Sequence, residues 1–364
     1  MKSITFAIGS LHGGGAERVV SVWASALVER GYDVSVIVYS RYDDEYPIDS
    51  RVKVYPIANS EKECNSFSMV ERLKRFRKAL KELKTKTVIS FLPIIQVYVA
   101  LASFGLGIKR IETIRINPWL ASGGSSWFRK LWLWCFKSGK ALILQSEDQR
   151  AFFSKSVQKK AVVIPNPINE KYIENAKTEY NSNSHNVVAA GRLSNQKNYK
   201  MMIDAIKIVK NEYSDVLLQI YGNGDLKDLL TAYVNEQGLD ENIHFMGRSN
   251  ELYRVYQQAD LYLMSSNYEG MPNALAEAMA SGLPCVSTDC KTGPRDLIDD
   301  GENGYLVPCD DSNALADKII KIFEMTREEQ ERLGKSAKEK IIDFCGEKNS
   351  LEKLITLIEK VNKK

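Results

Sequence analysis

The chain has 364 residues and a mass of 41.1 kDa, more than one ordinary core organises, so two domains are expected. It is 44% hydrophobic and 26% charged, a globular balance that excludes a disordered chain, and no apolar run reaches the roughly 18 residues that would suggest a bilayer span. Residues 1–180 carry 28 Lys and Arg against 17 Asp and Glu, a net of +11, while the remainder nets −7. The first half is therefore suited to an anionic partner and the second is not.

In chain order, Ser3–Gly9 is a β-rich run, read as a first buried strand and not as a cleaved signal peptide. Gly13-Gly14-Gly15 follows, then an amphipathic stretch to Arg30 and a strand at Val34–Tyr39. Strand, glycine turn, helix, strand is the opening of a doubly wound parallel sheet. Val88–Phe91, Ile111–Ile114, Ala141–Gln145 and Ala161–Ile164 supply later strands of that sheet. After Pro165-Asn166-Pro167 the chain turns polar through Asn181-Ser182-Asn183-Ser184. The pattern then restarts, with strands at Asn186–Ala190, Val216–Tyr221, Ile243–Met246, Leu261–Met264 and Pro284–Thr288. The expected organisation is a first Rossmann-like domain over 1–165, a linker over 166–185 and a second Rossmann-like domain over 186–345. The apolar spacing of Leu351, Leu354, Ile355, Ile358 and Val361 predicts a last helix, 348–364, packed back on the first domain. The fold class is thus α/β, two doubly wound domains facing a cleft. Because such sheets bind ligands beyond the carboxyl ends of their strands, the turns after strands are where chemistry is expected.

Three turns carry the candidate chemistry. Gly13-Gly14-Gly15-Ala16-Glu17-Arg18 removes side chains where a backbone meets a ligand, and it opens a helix whose free N–H groups favour an anion. It would serve equally as a tight strand-to-helix reversal. Gly191-Arg192-Leu193-Ser194-Asn195-Gln196-Lys197-Asn198 places two cations in the turn after the restarted strand, a pairing suited to a diphosphate. In Ser265-Ser266-Asn267-Tyr268-Glu269-Gly270-Met271-Pro272-Asn273-Ala274-Leu275-Ala276-Glu277, Pro272 suits a first helical turn. That puts Glu269 in the loop, Glu277 on the helix, and the N–H groups of Asn273, Ala274 and Leu275 at an anion site. Taken alone, Glu277 would read as a surface helix residue.

Together these segments resemble the retaining glycosyltransferases of the two-Rossmann (GT-B) architecture, specifically family 4, and the resemblance covers nearly the whole chain. GGGAER resembles that family's first glycine loop, GRLSNQKN its Arg/Lys phosphate turn, and EGMPNALAEAMASGLP its E-x7-E signature. YGNGDL (221–226) and DGENGYLVP (300–308) match two further segments. The resemblance implies transfer of a hexose or N-acetylhexosamine from a nucleotide diphosphate sugar, with UDP the expected nucleotide. The acceptor it implies is a hydroxyl of a lipid-linked or polysaccharide glycan. Glu277 would hold the donor ribose, Glu269 would contact the donor sugar, and Arg192 and Lys197 would neutralise the leaving diphosphate with the helix start at 273–275. Gly14 and Gly15 would admit the phosphates and acceptor, and Gly222 and Gly224 would let the base lie against backbone. Where many relatives carry a histidine in the first domain, this chain reads Glu112-Thr113-Ile114-Arg115-Ile116-Asn117-Pro118, so the resemblance implies that Arg115 takes its place in orienting a donor or acceptor phosphate. Gly293-Pro294-Arg295-Asp296 departs from the usual G-x-x-E. His12, beside the glycine loop, is a further candidate for acceptor activation; His185 and His244 read as structural. A nucleotide-sugar epimerase and a non-catalytic nucleotide-sugar-binding subunit are the competing classes.

The six cysteines are scattered without a CxxC pair, against a disulfide framework or cysteine zinc site and in favour of a reducing cytoplasm. No D-x-D occurs either, so no metal and no other cofactor is expected, the two cations taking the role a divalent ion has elsewhere. Arg72, Lys74, Arg75, Arg77, Lys78, Lys81, Lys84 and Lys86, interleaved with Val70, Leu73, Phe76, Leu80 and Leu83, form a basic amphipathic helix. It reads as binding the anionic inner leaflet, or as a solvated face whose apolar stripe packs on the sheet. Trp127-Phe128-Arg129-Lys130-Leu131-Trp132-Leu133-Trp134-Cys135-Phe136-Lys137 suits a headgroup boundary or a core helix. The expected location is the cytoplasmic face of the membrane, held peripherally. Nucleic acid is not an expected partner, since the aromatics cluster instead of alternating along a polar groove.

Overall fold

A computed structural model describes residues 3–120, 125–180 and 184–363. The chain divides into two compact units, Met1–Pro167 with Ser350–Lys364, and Ile168–Asn349. Met1, Lys2, Lys364 and the Asn181–Asn183 part of the expected linker lie outside the described residues.

The first unit contains strands β1 (Ser3–Ala7), β2 (Asp33–Val38), β3 (Lys53–Pro56), β4 (Thr87–Ser90), β5 (Lys109–Thr113), β6 (Ala141–Leu144) and β7 (Ala161–Val163). They form one parallel sheet in the order β3-β2-β1-β4-β5-β6-β7. Successive residues point to opposite faces, and both faces are apolar. Val36, Val38 and Ile89 join a core with Trp23 and Leu27, whereas Ile37 and Val88 join Phe76, Leu80 and Tyr98 on the other side. The last helix, Glu347–Lys363, puts Leu354, Leu357 and Ile358 into the first of these cores. At its start Trp23 donates Nε1–H to Ser350 Oγ at 3.2 Å, and Ser350 donates to the Pro165 carbonyl at 3.1 Å. Strand β3 was not anticipated, because it is a half-exposed edge ending in proline.

Two membrane-facing expectations change here. In the basic helix Met69–Glu82, Phe76, Ala79 and Leu80 are buried in the core, so most of the apolar stripe packs on the sheet and is not free for lipid. In the helix Ser126–Ser138, Trp132, Cys135 and Phe136 are core residues. The large apolar residues of this unit that remain exposed are Met69, Val70, Ile94, Phe104, Leu120, Trp127 and Trp134. Five of them, Met69, Val70, Ile94, Leu120 and Trp127, sit at or just before the starts of the helices Met69–Glu82, Pro93–Ala102 and Ser126–Ser138, on the edge where the parallel strands end, whereas Phe104 follows the end of Pro93–Ala102 and Trp134 lies within Ser126–Ser138.

The second unit contains β8 (Asn186–Ala190), β9 (Leu217–Tyr221), β10 (Ile243–Gly247), β11 (Leu261–Met264), β12 (Cys285–Thr288) and β13 (Tyr305–Val307). All are parallel, in the order β10-β9-β8-β11-β12-β13. The three-residue β13 lies inside DGENGYLVP and was not read as a strand. The unit begins earlier than the expected boundary. Ile168 donates its N–H to Cys345 at 3.0 Å, Lys177 donates Nζ to the Ala259 carbonyl at 2.7 Å, and the Tyr180 hydroxyl donates to the Gly282 carbonyl at 2.8 Å. Residues 168–180 are therefore packed structure and not linker, since their polar groups find partners in the body of the unit.

Candidate active site

Strand order reverses between β8 and β11, so the loops leaving these two strands splay apart and open a crevice at their carboxyl ends. The loop after β8 is Gly191–Asn198 and the loop after β11 is Ser265–Pro272, the two segments singled out for their chemistry. They are tied together. Asn267 donates its N–H to the Gln196 carbonyl at 2.8 Å, and the Ser265 hydroxyl donates to the Lys197 carbonyl at 2.8 Å.

At their junction Lys197 Nζ lies 2.6 Å from Glu269 Oε1, with both side chains largely buried. Ser266 Oγ donates to the same carboxylate oxygen at 2.7 Å, and Gln196 Nε2 lies 3.4 Å from the other. The backbone of Glu269 is held as well, because the Thr292 hydroxyl donates to its carbonyl. Thr292 sits at φ 70°, a left-handed conformation that a β-branched residue adopts only when its surroundings enforce it. Arg192 is exposed beside this cluster in sequence, and no carboxylate within the described residues pairs with it.

The helix Asn273–Ala280 follows, preceded by Pro272. Its first internal bond runs from the Ala276 N–H to the Pro272 carbonyl at 3.1 Å, so the N–H groups of Asn273, Ala274 and Leu275 stand ahead of the ladder. Glu277 is 7% exposed, which removes the surface-residue reading. Asp296 lies on the short helix Pro294–Leu297.

Gly222 and Gly224 are required by packing within the unit. A methyl at Gly222 would lie 1.9 Å from the Gly191 carbonyl oxygen, and one at Gly224 would lie 2.3 Å from that of Leu193. Both glycines let the turn after β9 close on the Arg192 loop, where Leu193 donates its N–H to the Asn223 carbonyl at 3.1 Å. The close approach at these positions is of backbone to backbone.

In the first unit the glycine loop leaves β1, again at a reversal of strand order, between β1 and β4. Gly14 precedes the helix Gly15–Glu29. The carboxylate of Glu17 folds back onto it, so that a methyl at Gly14 would lie 2.0 Å from Oε2. Burial raises the Glu17 pKa above its ordinary value. An anion approaching Gly14 and Gly15 thus meets a carboxylate already there. His12 Nδ1 lies 2.7 Å from Asp44 Oδ1, and its ring stacks on Tyr42 at 5.2 Å.

Arg115 follows β5. Its guanidinium lies over the rings of Trp23 at 4.6 Å and Phe91 at 5.3 Å, and Nη1 donates to Asn166 Oδ1 at 2.7 Å. Sequence reasoning did not find the residues that hold these candidates. Ser266 and Gln196 lie within the quoted motifs, and the spacing of Ser266 from Glu269 could have suggested the bond. Trp23 and Asn166 are far from Arg115 in the chain and carry no local signal.

Two parallel doubly wound sheets, one with a cationic loop and a helix start at its switch point, define a protein of the two-Rossmann class. The "Glycosyltransferase Family 4" profile matches residues 13–172 and "Glycosyl transferases group 1" matches 170–340, so together they account for most of the chain. The chain belongs to the family 4 glycosyltransferases, and it is an enzyme of that kind. A Campylobacter jejuni relative is 28% identical over 94% of this chain and 95% of its own length. It is named a GalNAc-alpha-(1->4)-GalNAc-alpha-(1->3)-diNAcBac-PP-undecaprenol alpha-1,4-N-acetyl-D-galactosaminyltransferase. A Haemophilus influenzae relative, called an uncharacterized glycosyltransferase, is 28% identical over 86% of this chain and 87% of its own. The fold matches Anabaena HepE in complex with UDP at a TM-score of 0.81, with 18% identity, 99% of this chain and 100% of that one. A Rickettsia africae glycosyltransferase matches at 0.81, with 17% identity, 100% of this chain and 99% of that one.

Proposed function

We propose that this enzyme moves a hexose or N-acetylhexosamine from a UDP-sugar to a hydroxyl of a lipid-linked or polysaccharide acceptor, with retention and without a metal. The observation that carries this reading is the Lys197–Glu269 pair, locked by Ser266 at the switch point of the second sheet. Lys197, Arg192 and the helix start at Asn273–Leu275 offer positive charge where a diphosphate would leave. Glu269 offers hydrogen-bond acceptors to sugar hydroxyls, and Glu277 offers them to a ribose. The Campylobacter relative's name specifies a lipid-linked acceptor and HepE was solved with UDP; both favour the same chemistry.

The mechanism favoured is front-face displacement. The acceptor oxygen bonds to the anomeric carbon on the face the phosphate leaves, its proton passes to a leaving phosphate oxygen, and the C–O bond to phosphate breaks. The described residues offer no evident nucleophile for a double displacement. Mass spectrometry of products from UDP- and GDP-sugars with membrane lipid extract tests the reading. A glycosylated lipid is expected, with an α-linkage in the anomeric proton coupling by NMR. Donor turnover without any acceptor would replace transfer by epimerisation. Activity lost on chelation and restored by manganese would remove the metal-independent part.

The enzyme works at the cytoplasmic membrane surface in this reading. Met69, Val70, Ile94, Leu120 and Trp127 are exposed along one edge of the first unit, and Lys74, Lys78, Arg129 and Lys130 are exposed on the same helices. Flotation with anionic but not neutral vesicles is the expected result.

A further inference from the structure

Lys197 is held by more than its ion pair with Glu269. Its stem crosses Gly191, where a methyl would lie 2.9 Å from Cε, and its carbonyl accepts from the Ser265 hydroxyl. The next residue, Asn198, sits at φ 45° and ψ 49°, a left-handed conformation that asparagine tolerates better than most residues. Asn198 also precedes the helix Tyr199–Val209, a position where an asparagine side chain commonly accepts from a helical N–H. Here it makes no such capping bond. Its Nδ2 donates instead to Asn267 Oδ1 at 3.1 Å and to Asp310 Oδ1 at 2.7 Å.

Both partners are committed in turn. Asn267 donates its N–H to the Gln196 carbonyl at 2.8 Å and Nδ2 to the Asn195 carbonyl at 3.3 Å. Asp310 is left-handed as well, at φ 59°, where a glycine would meet no steric cost. It does not cap the following helix, Ser312–Phe323. That work falls to Asp311, whose carboxylate accepts from the Ala314 N–H at 2.9 Å. Two side chains on two left-handed backbones therefore meet each other, and neither is spent on its own helix. Their bond ties the loop after β8 to the loops after β11 and β13 at the immediate neighbour of Lys197.

We propose that Asn198 and Asp310 are positioning residues for the transfer. Their bond fixes the backbone beside Lys197, so that its ammonium meets Glu269 and a leaving diphosphate in one geometry. This inference rests on the transferase reading above and adds the residues that aim its cation. Neither side chain touches the reacting atoms. The bridge is partly open to water, so its effect is that of a single accessible hydrogen bond and not that of a lost charge.

Steady-state kinetics and calorimetric titration of UDP into the full chain test this. N198G and D310G keep a left-handed backbone accessible and lose the bridge. Each should lower kcat about fivefold and weaken UDP about threefold, with KM for the acceptor and the melting temperature near the parent's. N198D sets two carboxylates against each other and should be slower than N198G, whereas N198D/D310N restores one donor and one acceptor and should recover most of the lost rate. In a K197A background N198G should change neither kcat nor UDP affinity further, since a residue that acts through Lys197 has nothing left to aim. A merely structural residue would instead lower the melting temperature and add its loss to that of K197A. Parent-like kcat in N198G and D310G, an additive loss in the K197A background, or N198D/D310N no faster than N198D overturns the proposal. Product formation is read separately. Transfer that N198G leaves untouched removes this inference alone, whereas N198G-dependent UDP affinity without any transfer keeps the aiming of Lys197 and removes the functional reading.

Discussion

The two units treat their polar residues in opposite ways. In the second, the charged side chains at the sheet's switch point are paired and braced: Lys197 with Glu269, Ser266 on the same carboxylate, Thr292 on the backbone. In the first, the cation at the corresponding sheet edge, Arg115, is rigidly stacked yet has two donors unmatched, and the glycine loop is covered by Glu17. Satisfied polar groups stiffen the loops of the second unit, whereas the unmatched buried donors are an energetic cost in the first. The braced loops come from short contiguous motifs, whereas Arg115's partners Trp23, Phe91 and Asn166 come from three separate segments.

The sharpest way to break this contrast is Lys197→Ala. Loss of the cation should lower kcat/KM by roughly 100- to 1000-fold. It should also leave Glu269 buried without its partner, destabilising the second unit by about 3 kcal/mol in urea denaturation. Turnover and stability close to the parent's would show that the pair is incidental.

Glycines separate the units next. Gly224→Ala drives a methyl into the Leu193 carbonyl, whose backbone cannot yield, so a loss of roughly 2–3 kcal/mol and weaker UDP binding are expected. Gly14→Ala meets only the movable end of Glu17 at an ordinary backbone conformation, and should cost less than about 1 kcal/mol. Equal losses at both positions would erase the distinction.

Glu112 gives the first unit a pH signature. It is fully buried, and desolvation pushes its pKa up to about 7, with the attraction of Arg110 working against the rise. A carboxyl whose folded pKa exceeds its unfolded value binds more protons when folded, so between about pH 4.5 and 7 its contribution to stability falls as pH rises. Lowering the pH from about 7 to 5 should add about 1–2 kcal/mol from this group. Urea titrations at the two pH values check this, and Glu112→Gln should flatten the difference.

The smallest effect concerns the exposed rim. Trp127→Glu should weaken sedimentation with anionic vesicles about threefold to fivefold while leaving the fold intact, since Trp127 is 58% exposed. Binding unchanged by this substitution and by Val70→Glu would take the membrane surface out of the picture.

Much was legible in the chain because it is written locally. Strand alternation, the restart after Pro167, and the loops around Arg192, Lys197 and Glu269 each occupy a few consecutive residues, and parallel α/β topology then dictates where those loops emerge. The edge strand β3 and the three-residue β13 escaped because neither is buried on both faces over a useful length. The basic helix Met69–Glu82 was ambiguous for another reason. An apolar stripe has the same spacing whether it meets lipid or a sheet, and only the packing of Phe76 and Leu80 against β-strand residues decided it.

Sequence alone determined the two-domain α/β plan, the family and the residues of the second unit's loops, since each depends on short-range pattern and composition. Tertiary structure alone decided that Gly222 and Gly224 let two loops close on each other, that Glu17 covers the glycine turn, and that Trp23, Phe91 and Asn166 gather around Arg115. Those facts depend on distances between residues tens to hundreds of positions apart, which no local pattern encodes and which arise only when the sheets order their strands and bury their faces.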